Sequence, residues 1–161
     1  MDQSALRLRA IELWNEGVTC HMRGDFHHAI ALYGKSIDVL PTAEAYTFRG
    51  WALRMLGRLD DAIAECMKAI EVDPTFGNPY NDIGSYLMSR GDLDEAVAWF
   101  VQAKAAPRYE PRHYPFMNLG RLYAAKGMVQ WAMSEFEGAL AIEPGEPTCL
   151  EMLARLRAML N

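Results

Sequence analysis

A pattern of small residues recurs about every 34 residues along this 161-residue chain and constrains its fold more than any other feature. In each unit a glycine is followed seven residues later by a second glycine, and five residues after that by an alanine. Four units at one period predict an array of similar structural units, each stacked on the next. The matches are Gly17, Gly24 and Ala29; Gly50, Gly57 and Ala62; Gly84, Gly91 and Ala96; and Gly120, Gly127 and Ala132.

Two further features extend this unit. An aromatic residue or a cysteine follows each alanine by four residues, and proline closes three of the four units. The combined pattern resembles the tetratricopeptide repeat family, whose unit is a helix-turn-helix of about 34 residues. The resemblance covers about residues 10 to 146 and implies an all-α solenoid. The positions are Tyr33, Cys66, Phe100 and Phe136, then Pro41, Pro74 and Pro144.

The predicted architecture is therefore four tetratricopeptide helix-turn-helix repeats followed by a C-terminal capping helix, in a single domain over residues 1–161. We expect Gly57, Gly91 and Gly127 to end first helices in the left-handed conformation, which glycine adopts most easily. Aspartates such as Asp25 and Asp92 are expected to begin second helices, against the positive end of the helix dipole. The predicted bounds are about 10–42, 43–76, 77–112 and 113–146 for the repeats and 147–160 for the capping helix.

The two ends of the array are expected to differ from the repeats. The N-terminal helix is predicted to begin near Ser4, one to two turns earlier than the repeat requires. In the capping helix, Arg157 stands where a repeat would place an aromatic residue, which indicates a solvated outer face. The residues expected on its inward stripe are Leu150, Leu153, Ala154 and Leu160.

Charge and hydropathy limit the classes of partner. A formal net charge of −5 and the lack of a Lys/Arg cluster argue against nonspecific binding of nucleic acid or an anionic membrane surface, which needs a basic face. The sequence contains no run of about 18 apolar residues that would predict a membrane span. Its first residues mix arginine and glutamate with leucine and form no apolar signal core. We therefore expect a cytoplasmic protein.

The cysteines fit the same compartment. Their number, three, is odd, and their spacing is unpaired, which fits reducing conditions better than a disulfide framework. Cys20 and Cys66 occupy positions that the repeat buries, so inert buried thiols are favoured over reactive ones. Cys149, near the end of the chain, is expected to be more exposed.

Residues that could carry catalysis are sparse. The chain has no P-loop, dinucleotide-binding, zinc-protease or nucleophile-elbow motif. Adjacent residues on a helix point about 100° apart, so neither Cys20 with His21 nor His27 with His28 forms a natural chelate. We therefore expect a noncatalytic binding module with no cofactor and no metal site.

The resemblance implies that the first helices line a concave groove, whose residues follow from the phase of the repeat. The groove is predicted to be apolar and aromatic in its N-terminal half and polar in its C-terminal half. Large exposed tryptophans favour partner binding by the apolar half. The alternative is that these side chains pack between repeats or take part in self-association. The predicted peptide-binding residues are Trp14, Val18, Met22, Phe48, Trp51 and Met55, then Asn81, Asp82, Asn118 and Arg121.

A known groove chemistry of the family is a carboxylate clamp for the acidic tails of heat-shock chaperones. That clamp needs lysine, asparagine and arginine at fixed positions of three repeats. The equivalent positions here hold Trp14, Val18, Phe48, Asn78 and Asp82. The sequence therefore predicts that this chain does not bind acidic tails through a clamp.

Two regions outside the groove are also candidates for contacts. Trp131 occupies a second-helix position where other repeats carry polar residues, with Trp99 about one turn away in the neighbouring repeat. These tryptophans either form a convex contact with an oligomer or partner, or fold over a repeat junction. The interval before the last repeat is about two residues longer, within 106–115. That insertion is either a rigid connector with solvated arginines or a cationic and aromatic contact point.

The leading functional hypothesis is a noncatalytic adaptor or scaffold that holds a peptide segment of a protein partner in its concave groove. The first alternative is a secretion-type chaperone that shields an apolar client segment. The second is a structural protein that self-assembles into a homo-oligomer. The resemblance also leaves the identity of the partner open.

Overall fold

The computed structural model describes residues 2–161, and within that range it consists of nine α-helices with no strand. The order confirms the predicted all-α repeat fold. None of the described helices is both long enough and apolar enough to cross a membrane. The helices are α1 Gln3–Met22, α2 Phe26–Val39, α3 Ala43–Met55, α4 Leu59–Val72, α5 Asn78–Arg90, α6 Leu93–Ala105, α7 Tyr114–Ala125, α8 Val129–Ile142 and α9 Pro147–Ala158.

The tight turns within each helix pair depend on glycine. The glycines between the paired helices have φ between 73° and 89°, a left-handed conformation that side chains with a Cβ rarely adopt. The prediction for Gly57, Gly91 and Gly127 is therefore confirmed. Asp25 is the N-cap of α2 and its carboxylate accepts a hydrogen bond from the backbone N–H of His28. Asp92 is the N-cap of α6 but makes no side-chain capping bond.

The first glycine of each unit lets two helices approach closely. A Cβ added at Gly84 would lie 2.7 Å from the ring of Phe100, a fully buried residue of α6. At Gly50 it would lie 3.0 Å from the carbonyl oxygen of Ala62 in α4. Small residues at these crossings therefore leave room for an aromatic ring or a backbone to pack against the first helix.

The core is divided unequally along the solenoid. One continuous cluster of buried side chains runs from Leu53 of α3 to Leu156 of α9 and includes Phe100 and Phe136. A separate, smaller cluster joins α2 and α3 through Ala29, Tyr33 and Ala52. The first helix pair therefore packs largely outside the main cluster, which it contacts through Ile30 of α2, whereas later pairs share one core.

The capping helix packs in a different phase from the one expected. Its inward stripe is Cys149, Leu153 and Leu156, all buried. Leu150, Ala154 and Leu160 are exposed, so the predicted stripe is correct only at Leu153. The expectation that Cys149 is exposed was also wrong, because its place on this stripe buries it fully. Arg157 lies on the exposed face, as predicted, where it approaches Glu137.

The insertion folds back against the second repeat as a connector held by its own side chains and backbone. Arg108 forms ion pairs of 2.7 Å with Glu44 and with Asp73. Arg112 donates hydrogen bonds of 3.1 Å to the backbone carbonyls of Ala106 and Pro107. The connector predicted from the sequence thus carries paired arginines, of which Arg108 is exposed and Arg112 is half-buried.

A short backbone pairing holds the insertion in place. The N–H of Arg108 donates to the carbonyl of Thr75, and the N–H of Gly77 donates to the carbonyl of Arg108. This parallel bridge carries Tyr109 onto the beginning of α5, where a Cβ at Gly77 would lie 2.2 Å from its ring. The insertion therefore buries an aromatic side chain at the start of a groove helix.

Candidate functional site

An aromatic cluster lies where α1 and α3 meet in the N-terminal half of the groove. The rings of Trp14 and Phe48 are 5.1 Å apart and those of Phe48 and Trp51 are 5.8 Å apart, both in edge-to-face geometry. The His21 ring lies 4.1 Å from that of Trp51. Such edge-to-face pairs stabilise the arrangement beyond the burial of apolar area. The cluster is therefore a pre-formed surface, held from two helices.

Burial is graded across this cluster. Trp14, Val18 and Phe48 are half-buried and pack against the small core of the first repeat. Trp51 remains 40% exposed, and Met55, one turn further along α3, is 52% exposed. Residues four apart on a helix share a face, so these two side chains form one exposed apolar strip. Met22, in the last turn of α1, is also exposed.

The His21 ring packs against the exposed side chain of Trp51. It is buried, and its Nδ1 is 3.3 Å from the Tyr33 hydroxyl. Burial lowers the pKa of His21, so its imidazole is neutral at pH 7. Phe26 packs edge-to-face against the same imidazole at 5.3 Å. This packing role of His21 was not predicted from the sequence, where its position one residue before the groove residue Met22 was the available signal.

A cavity of about 630 Å³ adjoins the cluster at the edge of the solenoid. Its walls come from the early part of α1, the turn between α2 and α3, and the end of α4. Trp14 lines it, and the Nε1 of this indole is buried without a hydrogen-bond partner in the described chain. Ile11 and Val72, both exposed apolar residues, also face the cavity. The apolar half of the groove therefore extends toward α4.

The C-terminal half of the groove carries a chain of polar contacts. The amide nitrogen of Asn118 on α7 donates a 3.0 Å hydrogen bond to Oδ1 of Asn81 on α5. Arg121 donates to Oδ1 of Asn118 at 3.4 Å. Asn81 is buried, whereas Arg121 is exposed. Asn81 therefore orients Asn118 and Arg121, which are the accessible members of this hydrogen-bonded series.

Asp82 directly follows Asn81 on α5 and is half-buried. Desolvation raises the pKa of its carboxyl group to about 7. Its charge acts on Cys66, Tyr86 and Tyr109, and burial raises the pKa of all three groups. Tyr109, which lies in the predicted insertion, is near enough to Asp82 for the charge of Asp82 to raise its pKa. The long interval between repeats signalled an insertion but not its long-range pairing with α5.

The two tryptophans of the second helices do not form a ring pair with each other in the described chain. Trp99 is half-buried, joins the main core and lies 6.1 Å from the Tyr80 ring. Trp131 packs edge-to-face on Tyr123 of its own repeat at 5.3 Å, yet remains 57% exposed. Trp99 therefore folds over a repeat, and Trp131 keeps an accessible indole face.

Successive helix pairs that stack on one another define the molecule as a helical-repeat solenoid. Residues 43–76 and residues 80–106 each match a family model described as a tetratricopeptide repeat. The chain belongs to the tetratricopeptide repeat family.

Curated proteins with similar sequences carry the same kind of repeat in their names. The chain is 33% identical over 147 residues to the inactive TPR repeat-containing thioredoxin TTL3 of Arabidopsis thaliana, covering 89% of this chain and 21% of that protein. It is 36% identical over 90 residues to the small glutamine-rich tetratricopeptide repeat-containing protein 2 of Mycosarcoma maydis, covering 55% of this chain and 26% of that protein. The chain thus spans about a quarter or less of the length of these relatives.

Solved structures share the fold at low sequence identity. PilF of Pseudomonas aeruginosa superposes with a TM-score of 0.88 at 21% identity, covering 94% of this chain and 69% of that one. PilW, a type IV pilus biogenesis factor, gives 0.83 at 22% identity over 99% and 71%. YrrB, described as a TPR protein with an unusual peptide-binding site, gives 0.69 at 21% identity over 88% and 73%. These similarities show the arrangement of helices alone.

Proposed function

We propose that this chain is a noncatalytic adaptor that holds a peptide segment of a partner protein in its concave groove. The observation that carries the proposal is the exposed strip of Trp51 and Met55 above the aromatic cluster. Tryptophan side chains that become buried on association contribute disproportionately to affinity. YrrB, a TPR protein of similar fold with an unusual peptide-binding site, supports this use of the fold.

The division of the groove suggests how a segment would bind. Apolar side chains of the segment would cover Trp51 and Met55, since covering exposed apolar area favours association. Asn118 and Arg121, held by Asn81, would donate to backbone carbonyls or polar side chains of the same segment. The apolar half would then supply most of the affinity, and the polar half would fix the register.

The test is a comparison of proteins captured by the wild type and by Trp51→Glu. A charge in the apolar strip is expected to weaken groove partners by at least about tenfold, because a carboxylate would be desolvated on binding. The matched control is Trp131→Glu, the same change at the exposed tryptophan of α8. Quantitative mass spectrometry of both captures, with circular dichroism to verify folding, would give the result.

The two variants separate the possible contact surfaces. Loss of partners with Trp51→Glu alone supports the groove, and unchanged capture by that variant would overturn the groove assignment. Loss of partners or of a dimer with Trp131→Glu alone would instead identify a convex contact, which the exposed indole of Trp131 favours as a second candidate surface. Light scattering on both variants would show which surface, if either, mediates self-association.

A further inference from the structure

We propose that the groove selects a segment with a basic side chain, whose ammonium or guanidinium group pairs with the Asp82 carboxylate. The inference rests on the proposed function, because it names the chemistry of the segment that the groove would hold. The Asp82 side chain is half-buried on α5, and no cation of the described chain pairs with it.

Asp82 differs from the other shielded acidic residues of the described chain in lacking a partner. Glu65, which is buried, pairs with Arg49 at 2.7 Å and with Lys68 at 3.1 Å. Asp73 pairs with Arg108. At Asp82, desolvation alone acts on the carboxyl group, with no contribution from a hydrogen bond or a nearby cation. A desolvated carboxylate without a counterion is unfavourable, so the groove gains from a ligand that brings one.

Three groups from three elements lie near enough to Asp82 for its charge to raise their pKa values. They are Cys66 of α4, Tyr86 of α5 and Tyr109 of the insertion, and none of them is a cation. Arg54 on α3 acts on Tyr86 but not on Asp82. A thiol and two phenols leave the charge of the Asp82 carboxylate unbalanced, so a cation from a ligand is favoured there.

A second unpaired acceptor lies one turn earlier on α5. Oδ1 of Asn78 is buried and has no hydrogen-bond donor among residues 2–161, while the amide nitrogen of the same side chain donates to the carbonyl of Glu110 at 3.4 Å. Residues four apart share a helix face, so Asn78 and Asp82 lie in line along the groove. A side chain with several N–H donors matches such acceptors, whereas an acidic tail would be repelled. The same feature explains why a carboxylate clamp is not expected here.

The experiment selects random peptides from a displayed library on three immobilised proteins. These are the wild type, Asp82→Asn and Asp38→Asn, the last of which removes the same charge from an exposed position on α2. We expect the wild type and Asp38→Asn to enrich apolar peptides with arginine or lysine at a fixed distance from the apolar anchor. Asp82→Asn is expected to enrich the anchor without the basic residue.

Affinities of one selected peptide and its variants then give the magnitude. Replacing the basic residue with glutamine is expected to weaken binding to the wild type by about ten- to a hundredfold, the usual range for a charge-assisted hydrogen bond, and to change binding to Asp82→Asn little. Binding of the basic peptide to the wild type should also strengthen by up to about tenfold from pH 6 to pH 8, as Asp82 ionises. His21 also titrates, so Asp82→Asn at both pH values is the reference.

The outcomes separate the two proposals. If the wild type enriches apolar peptides without a basic residue, or if Asp82→Asn binds the basic peptide equally well, the cation site is wrong and the peptide groove stands. Apolar enrichment without charge preference is also what a chaperone for apolar segments would show. If the wild type enriches no peptide, the proposed function fails and the cation site fails with it.

Discussion

At the residue scale, the carboxylate of Asp82 lowers the stability of the fold, while we propose that it contributes to ligand binding. In the unfolded chain its carboxyl group titrates near its ordinary pKa of 3.8, whereas in the fold desolvation raises that pKa to about 7. Between these pH values the folded protein binds a proton that the unfolded chain does not. The free energy of unfolding therefore falls as the pH rises from about 4 to about 7 and then levels off. Asp82 is retained at a stability cost that its proposed ligand would offset.

We accordingly predict that Asp82→Asn stabilises the free protein in a pH-dependent manner. At pH 4 the side chain is protonated in the fold and about half protonated in the unfolded chain, so the change is expected to have only a small effect. At pH 8 the variant is expected to be more stable by about 2 kcal/mol, since a partly desolvated charge is removed. Urea denaturation at both pH values measures this difference. Equal stability of the two proteins at pH 8, or an effect as large in exposed Asp38→Asn, would contradict the desolvation of Asp82.

At the scale of single elements, the turns could be predicted from the sequence and the insertion could not. The left-handed glycines and the aspartates at helix starts are local, because a φ angle or a cap depends on residues within one turn. The position of Tyr109 depends on a backbone pairing between residues near 75 and 108, which is long-range. The apolar half of the groove could be predicted from the repeat phase. The lack of a cation beside Asp82 could not, because it depends on where the side chains of other helices lie in the fold.

The buried face of the capping helix could not be predicted from the sequence, for a different reason. The predicted stripe and the observed one share Leu153, and both follow a helical spacing of three and four residues. The apolar pattern of α9 therefore fits either face. Packing against α8 buries the face with Cys149 and Leu156. Sequence periodicity alone does not distinguish two overlapping stripes on one short helix.

This assignment predicts unequal effects at two leucines of α9. Leu156 is 4% exposed and Leu150 is 50% exposed. Leu156→Ser is expected to lower the free energy of unfolding by about 2–4 kcal/mol, since it leaves a cavity and buries a hydroxyl. Leu150→Ser is expected to stay within about 0.5 kcal/mol of the wild type. Urea denaturation of both variants provides the comparison, and a larger loss at Leu150 would restore the stripe predicted from the sequence.

At the scale of the whole molecule, the solenoid combines a continuous core with a separately packed first pair. The main cluster extends from α3 to α9 and is contacted by Ile30 of α2, while α1 packs on the smaller cluster around Tyr33. In repeat arrays each unit is stabilised mainly by its neighbours, so the first unit, whose α1 lies outside the main cluster, is expected to open before the units within it. The apolar half of the proposed binding groove is built partly on that unit. Binding there would therefore be coupled to the stability of α1 and α2.

This arrangement predicts the order of local opening in the free protein. Backbone amides of α1 are expected to exchange with deuterium at least about tenfold faster than those of α5 to α8, because no described side chain of α1 belongs to the main cluster. The informative control is α9, which lies at the other end of the described array but belongs to the main cluster through Leu153. If position at an end governed opening, α1 and α9 would exchange alike. Hydrogen exchange followed by mass spectrometry distinguishes these cases, and equal protection of α1 and α9 would show that the division of the core does not control opening.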